Sequence, residues 1–170
     1  RKFSKTLSES GSYKRQLNMH LKMLDFCSMY DHTVTWKQNR KAGTTRLFCE
    51  SAEYKDWKDQ SGSVTLVYTA SLGSGKSVFL ANLVDDLHLH VQDSNVPVVY
   101  FFCRYDITES LQARTIIGSI ARQLLGRMQS QFLNSDLAMR DFLDRNKLGD
   151  YETIFFLLQR VLASDLKAYI

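Results

Sequence analysis

The stretch from Val64 to Leu83 constrains the fold of this 170-residue chain more than any other part of it. An apolar, β-branched run, V64-T-L-V-Y-T69, leads into the turn A70-S-L-G-S-G-K-S77, and an amphipathic helix pattern, V78-F-L-A-N-L83, follows at once. A strand, a glycine-containing turn and a helix in this order are the context that a phosphate-binding loop requires. The sequence therefore predicts that residues 70–78 bind polyphosphate.

The residue types in this loop suit an anionic ligand. Gly73 and Gly75 let the backbone curl around phosphates without a Cβ in the way, and backbone N–H groups at a helix N-terminus attract negative charge. Lys76 is predicted to place its ammonium beside the β and γ oxygens, and Ser77 to offer its hydroxyl to Mg²⁺. The predicted nucleotide-binding residues are Ala70, Ser71, Leu72, Gly73, Ser74, Gly75, Lys76, Ser77 and Val78, and Ser77 is the predicted metal ligand.

One position departs from the strict pattern, which begins with Gly where this chain has Ala70. An alanine is compatible with the loop if its φ is negative, whereas a positive φ would cost energy and weaken the site. The alternative to a binding site is an ordinary strand-to-helix turn, with glycines for geometry and a solvated lysine. A pattern relaxed to Gly or Ala occurs by chance in roughly one chain of this size in a hundred, and the flanking strand and helix lower that further.

Composition limits the partners. The net charge of +4 fits an anionic ligand but falls short of a nucleic-acid-binding signature. Three widely spaced cysteines without a CxxC motif indicate reduced thiols in an intracellular protein, and with the four histidines they form no metal-binding pattern. No apolar run reaches the roughly 18 residues of a membrane span, and the N-terminus lacks the apolar core of a signal peptide. We therefore expect a cytoplasmic protein with neither membrane nor nucleic acid as partner.

The order of elements predicts an α/β fold, a P-loop NTPase-type parallel sheet with flanking helices, preceded by a helical segment. We expect residues 1–60 to form a helical N-terminal linker and residues 61–170 the N-terminal half of a P-loop domain. Predicted helices cover residues 13–30, part of 31–43, 78–90, 108–125, 132–143 and 151–163; predicted strands cover 64–69 and 96–103, and a further strand begins at 167–170.

Residues for hydrolysis are missing from this pattern. A P-loop NTPase needs a second strand that ends in an Asp to order Mg²⁺, with a neighbouring acid that activates water. No such segment follows Lys167 to Ile170, Asp85-Asp86 lies within a predicted helix, and Asp106 follows another strand. The sequence thus predicts binding rather than hydrolysis, in a sheet truncated before its acidic strand. Arg104 has two interpretations, a contact to nucleotide or a surface ion pair.

Several motifs together resemble one family. Gly43-Thr44 and Tyr54-x-x-Trp57 precede the loop, and an aromatic second strand, V98-V-Y-F-F-C-R-Y-D106, and a helix that ends in Arg122-Gln123-Leu124-Leu125 follow it. This combination is similar to the nucleoside-triphosphatase module of fungal STAND proteins, the NACHT-like group that includes the nephrocystin 3-like N-terminal domain. The resemblance covers roughly residues 30–170. Ala70 and Leu72 replace the family's Gly and Pro, and Leu47 replaces its aromatic residue.

The resemblance implies a switch in signal transduction that binds ATP or GTP with Mg²⁺. It also implies homo-oligomerisation, a variable N-terminal effector and C-terminal repeats in a longer protein. Two further functions remain open. One is a non-catalytic protein-interaction module that uses helix surfaces and carries a vestigial loop. The other, weaker one is a small-molecule P-loop kinase, which would need an arginine-rich lid that the sequence does not provide.

Overall fold

The computed structural model describes residues 18, 32–40, 49–127, 151–162 and 167–170. The chain forms two compact units. We call residues 32–102 and 167–169 the loop unit, because they contain the predicted phosphate loop. The helical unit consists, within the described residues, of 18, 103–127, 151–162 and 170. The predicted boundary near residue 60 stays a prediction.

Three helices shape the loop unit: α1 is His32–Asn39, α2 is Ala52–Asp59 and α3 is Lys76–His90. Helices α1 and α3 confirm the short helix expected within 31–43 and the helix expected to follow the loop. Helix α2 was not predicted as a helix, since its sequence supplied only two aromatic anchors, Tyr54 and Trp57. It begins at an N-cap serine, Ser51, whose side chain accepts a hydrogen bond from the Tyr54 backbone N–H.

The core of the loop unit brings α2, α3 and the residues after α3 together. Helix α3 contributes the largest share because its apolar side chains recur at helical spacing. Helix α1 packs against α3, and the indole of Trp36 on α1 contacts the core from one side. The buried members are Tyr54, Leu83, Val84, Leu87, Val91, Val98 and Tyr169.

The segments predicted as strands form little regular backbone pairing among the described residues. Val98 forms a parallel bridge with Tyr169, in which the Val99 N–H donates to the Tyr169 carbonyl at 2.8 Å and the Tyr169 N–H donates to the Pro97 carbonyl at 3.0 Å. Residues 64–69 belong to no helix or strand and are mostly exposed, although Leu66 packs against the core. The parallel sheet therefore stays a prediction, for which this bridge is a first contact.

The helical unit contains a 3₁₀ helix, Thr108–Leu111, followed by α4, Ala113–Arg127, and α5, Tyr151–Leu162. Helices α4 and α5 pack together, and their buried side chains include Leu124, Leu125 and Ile154. Both helices were predicted, but α4 begins at Ala113 rather than at residue 108, where the separate 3₁₀ helix lies, and it ends one residue beyond the expected stop at Gly126. The predicted helices at 13–30 and 132–143 lie outside the described residues. Within the described part of the chain, none of the helices has the length and apolar character needed to cross a bilayer.

Candidate phosphate-binding site

The backbone of the loop turns at its two inner glycines. Gly73 has a φ of +78° and Gly75 has a φ of +88°. Residues with a Cβ rarely adopt this backbone conformation. None of the described non-glycine residues has a positive φ, so Ala70 satisfies the condition under which it is compatible with the loop. Residues 71–77 are exposed and Ala70 is half-buried. The loop is thus open to a ligand from solution.

Helix α3 begins directly at the end of this loop. Gly75 is its N-cap residue and supplies no side-chain hydrogen bond to the first turn, while the Gly75 carbonyl accepts from the Phe79 N–H at 2.9 Å. The first N–H groups of a helix have no partner within the helix, and the aligned peptide dipoles add partial positive charge at this end. The start of α3 is therefore a favourable position for an anion.

The Lys76 side chain folds back over the loop. Its Nζ donates to the Ala70 carbonyl at 2.8 Å and to the Ser71 carbonyl at 2.6 Å. The Lys76 ammonium is thus held at the loop by two uncharged carbonyl acceptors. Phosphate oxygens are stronger acceptors because they carry charge. Lysine 76 is thus placed where it can exchange backbone carbonyls for phosphate oxygens.

Side-chain contacts fix the chain on both sides of the loop. Tyr68, just before the loop, packs on Phe79 of α3 with ring centroids 4.4 Å apart. Further back, the Trp57 Nε1–H donates to the Val64 carbonyl at 3.1 Å. On α3, the Asp86 carboxylate accepts the Tyr54 hydroxyl at 2.6 Å.

The Asp86 carboxylate shifts the pKa values of two nearby groups, the Tyr54 phenol and the Cys49 thiol. Burial and the hydrogen bond to Asp86 raise the pKa of Tyr54 far above its ordinary value, so its phenol is a hydrogen-bond donor throughout the physiological range. Lys58 also donates to Asp86, at 3.1 Å. Burial, with the nearby Asp86 charge, raises the pKa of the Cys49 thiol, which stays protonated and unreactive at neutral pH.

The acidic candidates for metal binding have structural partners instead. Asp85 and Asp86 lie on α3, as predicted, and Asp85 pairs with Arg40 Nε at 2.6 Å. In the helical unit, Arg104 Nη2 contacts the Asp106 carboxylate at 2.5 Å, and this guanidinium holds the pKa of Asp106 below its usual range. The surface ion pair is therefore the confirmed interpretation of Arg104.

The cysteines and histidines form no metal site in the described part of the chain. Cys49 and Cys103 are free thiols, and Cys27 lies outside the described residues. Where side chains are described, His, Cys, Asp and Glu form no group of three that could hold a metal ion. Ser77, the second residue of α3, is exposed and remains the predicted Mg²⁺ ligand.

Sequence reasoning found the loop but not its supports. The loop is a local motif whose glycines and lysine lie within eight residues, so its signal is contiguous. The partners of Tyr54 and Trp57 lie 32 and 7 positions away along the chain. The Tyr-x-x-Trp spacing was visible in the sequence, and placing both residues on one helix face would have indicated a shared role.

Comparison with known proteins assigns the family. The family model described as nephrocystin 3, N-terminal, matches residues 43–167, which include α2, the loop and α3. The chain therefore belongs to the nephrocystin 3 N-terminal family, and the resemblance drawn from its motifs to that domain is confirmed. No curated protein and no solved structure matches the chain.

Proposed function

We propose that this chain is a nucleotide-binding module that takes the Mg²⁺ complex of ATP or GTP at residues 70–78. The observation that carries the proposal is the Lys76 ammonium, held against the Ala70 and Ser71 carbonyls at the start of an uncapped helix. A cation, a row of backbone N–H groups and a helix dipole converge on one exposed turn. Polyphosphate is the ligand class that uses all three.

The parts of the loop divide the work of binding. N–H groups between Ser71 and Ser77 would donate to phosphate oxygens, apart from that of Ser74, which donates to the Ser71 carbonyl at 3.3 Å. Lys76 would leave its carbonyl partners for the β and γ oxygens. Ser77 would hold Mg²⁺, which neutralises part of the phosphate charge. We assign no residue to hydrolysis, because Asp85 and Asp86 are engaged with Arg40, Tyr54 and Lys58.

We place this module in a nucleotide-operated signalling switch of the fungal STAND type, with a NACHT-like parallel sheet around the loop. Family membership and the parallel bridge at Val98 and Tyr169 support this proposal. In a longer protein, effector and repeat domains or a second copy would read the nucleotide state. The proposed setting is the cytoplasm.

A protein-interaction module with a vestigial loop is the second candidate. The observation in its favour is the exposure of apolar side chains in and before the loop: Leu72 is 98 % exposed and Val67 is 75 % exposed. Exposed apolar side chains that form a patch are typical of a protein contact, and Val67 and Leu72 lie five positions apart. On this alternative, partner binding is indifferent to nucleotide and to Lys76.

The test is a titration of the chain with Mg-ATP and Mg-GTP, in which the thermal unfolding midpoint is measured at each nucleotide concentration. A ligand that binds only the folded state stabilises it by about 2.7 kcal/mol at a hundredfold excess over its Kd. We expect this shift in the parent and in Lys37→Ala, which removes an exposed lysine of α1, but not in Lys76→Ala. No shift with either nucleotide in the folded parent would contradict the proposal and favour the interaction module.

A further inference from the structure

One face of α2 contacts the chain on both sides of the phosphate loop. Tyr54, Trp57 and Lys58 are spaced i, i+3 and i+4, so their side chains leave the same face of the helix. We call these three residues the α2 contact face. Its contacts reach the segment that leads into the loop and the helix that leaves it.

Trp57 holds the segment before the loop. Its Nε1–H donates to the carbonyl of Val64, six positions before Ala70. The indole is itself held in place, because it stacks on Tyr54 at 5.9 Å and contacts the ring of Tyr169 at 5.6 Å. The Val64 side chain is 47 % exposed. The hydrogen bond therefore restrains a segment that side-chain burial alone secures weakly.

Tyr54 and Lys58 hold the helix after the loop. Tyr54 is fully buried, and its hydroxyl donates to Asp86 at 2.6 Å, while Lys58 Nζ donates to the same carboxylate oxygen at 3.1 Å. Asp86 lies almost three turns after the first residue of α3. Two donors on one carboxylate fix both the rotation and the axial position of α3 relative to α2.

We propose that Tyr54 and Trp57 are positioning residues for phosphate binding. By holding Val64 and Asp86 on one short helix, they fix the separation between the two ends of the loop. A phosphate gains most when the N–H groups around it already point inward, because the ligand does not have to order them. This inference rests on the proposed function, since it names the residues that organise the same site.

The two tryptophans provide a matched pair for the test. Trp36 Nε1 also donates to a backbone carbonyl at 3.1 Å, but this carbonyl belongs to Ala81 within α3, after the loop, whereas the Trp57 acceptor lies before it. Trp57→Phe and Trp36→Phe each keep a ring and remove one N–H donor. We expect both to lower the unfolding midpoint by similar amounts.

Calorimetric titration with Mg-ATP and Mg-GTP separates positioning from stability. The loss of one hydrogen bond used for preorganisation predicts about a tenfold rise in Kd for Trp57→Phe. We expect less than a twofold change for Trp36→Phe, because α3 keeps both donors on Asp86 in that variant. Tyr54→Phe, which removes only the hydroxyl on Asp86, is the second variant and is expected to weaken binding likewise. Equal Kd values for Trp57→Phe and Trp36→Phe would overturn the inference.

Amide hydrogen exchange over residues 64–77 supplies a measurement that needs no nucleotide. We expect faster exchange there in Trp57→Phe than in Trp36→Phe, and equal exchange in the two variants would overturn the positioning role. A folded parent that binds neither nucleotide would contradict the proposed function alone. In that case the exchange comparison still decides whether α2 organises the loop.

Discussion

At the scale of single residues, the loop depends on a backbone conformation that only glycine adopts cheaply. Gly75 is both the last residue of the turn and the N-cap of α3, with φ of +88°. No atom lies within 4 Å of a Cβ built on it. The obstacle to another residue there is therefore the backbone itself rather than the surroundings.

Gly75→Ala is expected to destabilise the chain by about 1–2 kcal/mol, the cost of a left-handed conformation for a residue with a Cβ. Gly62 is the control, because its Cβ position is equally open and its φ is not positive. Gly62→Ala should leave stability unchanged or raise it by up to about 1 kcal/mol through a less flexible unfolded chain. Urea denaturation measures the free energy of unfolding of both variants. Equal effects would show that the positive φ at position 75 costs an alanine nothing.

Tyr54 gives the chain a stability that depends on pH. Its pKa is raised above the ordinary value of 10.0, so the folded state favours the neutral phenol. The contribution is fully present below pH 10 and declines as the pH rises above that value, because the unfolded chain then releases the proton more readily.

We expect Tyr54→Phe to cost about 1–2 kcal/mol at pH 8, since it removes a hydrogen bond to a carboxylate. The difference from the parent should shrink above pH 10. Urea denaturation of both proteins from pH 8 to 10.5 measures it, with Tyr105→Phe, at a residue that is 94 % exposed, as a control of small effect. A difference that stays constant up to pH 10.5 would contradict the assignment.

What the sequence could predict at this scale follows from distance along the chain. Gly73, Gly75 and Lys76 lie in one contiguous motif, so local sequence is enough to predict their roles. The sequence predicted that the Lys76 ammonium lies beside phosphate oxygens, whereas its contacts to the Ala70 and Ser71 carbonyls are known from the structure. The Tyr54–Asp86 pair could not be predicted, because it depends on how α2 packs on α3 across 32 positions.

At the scale of elements, a helix could be predicted from the sequence when it was long and its apolar residues recurred at helical spacing. Helix α3 repeats its apolar residues over 15 positions, whereas α2 has 8 residues and only two large apolar ones. The signal that was available for α2 lay at its start, where Ser51 precedes an acidic first turn. The strand predicted at 64–69 depends on pairing with a distant segment, which local sequence does not specify.

Ser51→Ala tests whether that cap sustains α2. The substitution removes the hydrogen bond that the Tyr54 N–H donates to Ser51 Oγ at 3.3 Å, and we expect a loss of about 1 kcal/mol in the free energy of unfolding. Ser63→Ala, at an exposed position outside any helix or strand, is the matched control and should change it by less than about 0.5 kcal/mol. Guanidinium denaturation compares the two. Equal stabilities would mean that packing alone maintains α2.

At the scale of the whole molecule, the chain closes the loop unit with residues from its far end. Tyr169 is almost fully buried, pairs with Val98, and donates its hydroxyl to the Lys58 carbonyl at 2.6 Å. The sequence predicted that a strand begins at 167–170. It could not identify the partner, because about seventy positions separate Tyr169 from Val98 and a parallel pairing leaves no local pattern.

Truncation after residue 166 therefore removes part of the core. It deletes the Tyr169 ring, its two backbone hydrogen bonds to Pro97 and Val99, and its contact with α2. We expect a loss of at least about 3–5 kcal/mol, the usual cost of deleting a large buried aromatic side chain. Since domains of this size have only about 5–15 kcal/mol of stability, the loop unit should then show measurable unfolding at room temperature.

Thermal unfolding and amide exchange across α3 measure this loss. The control removes only Ile170, a residue that is 58 % exposed, and should change stability by less than about 0.5 kcal/mol. If both truncations leave α3 equally protected, the bridge at Val98 contributes nothing to the loop unit. If only the longer truncation exposes α3, the loop depends on a pairing at the opposite end of the chain. Nucleotide binding should then fail in that variant even though residues 70–78 are intact, because the core that supports both flanks of the loop has been opened.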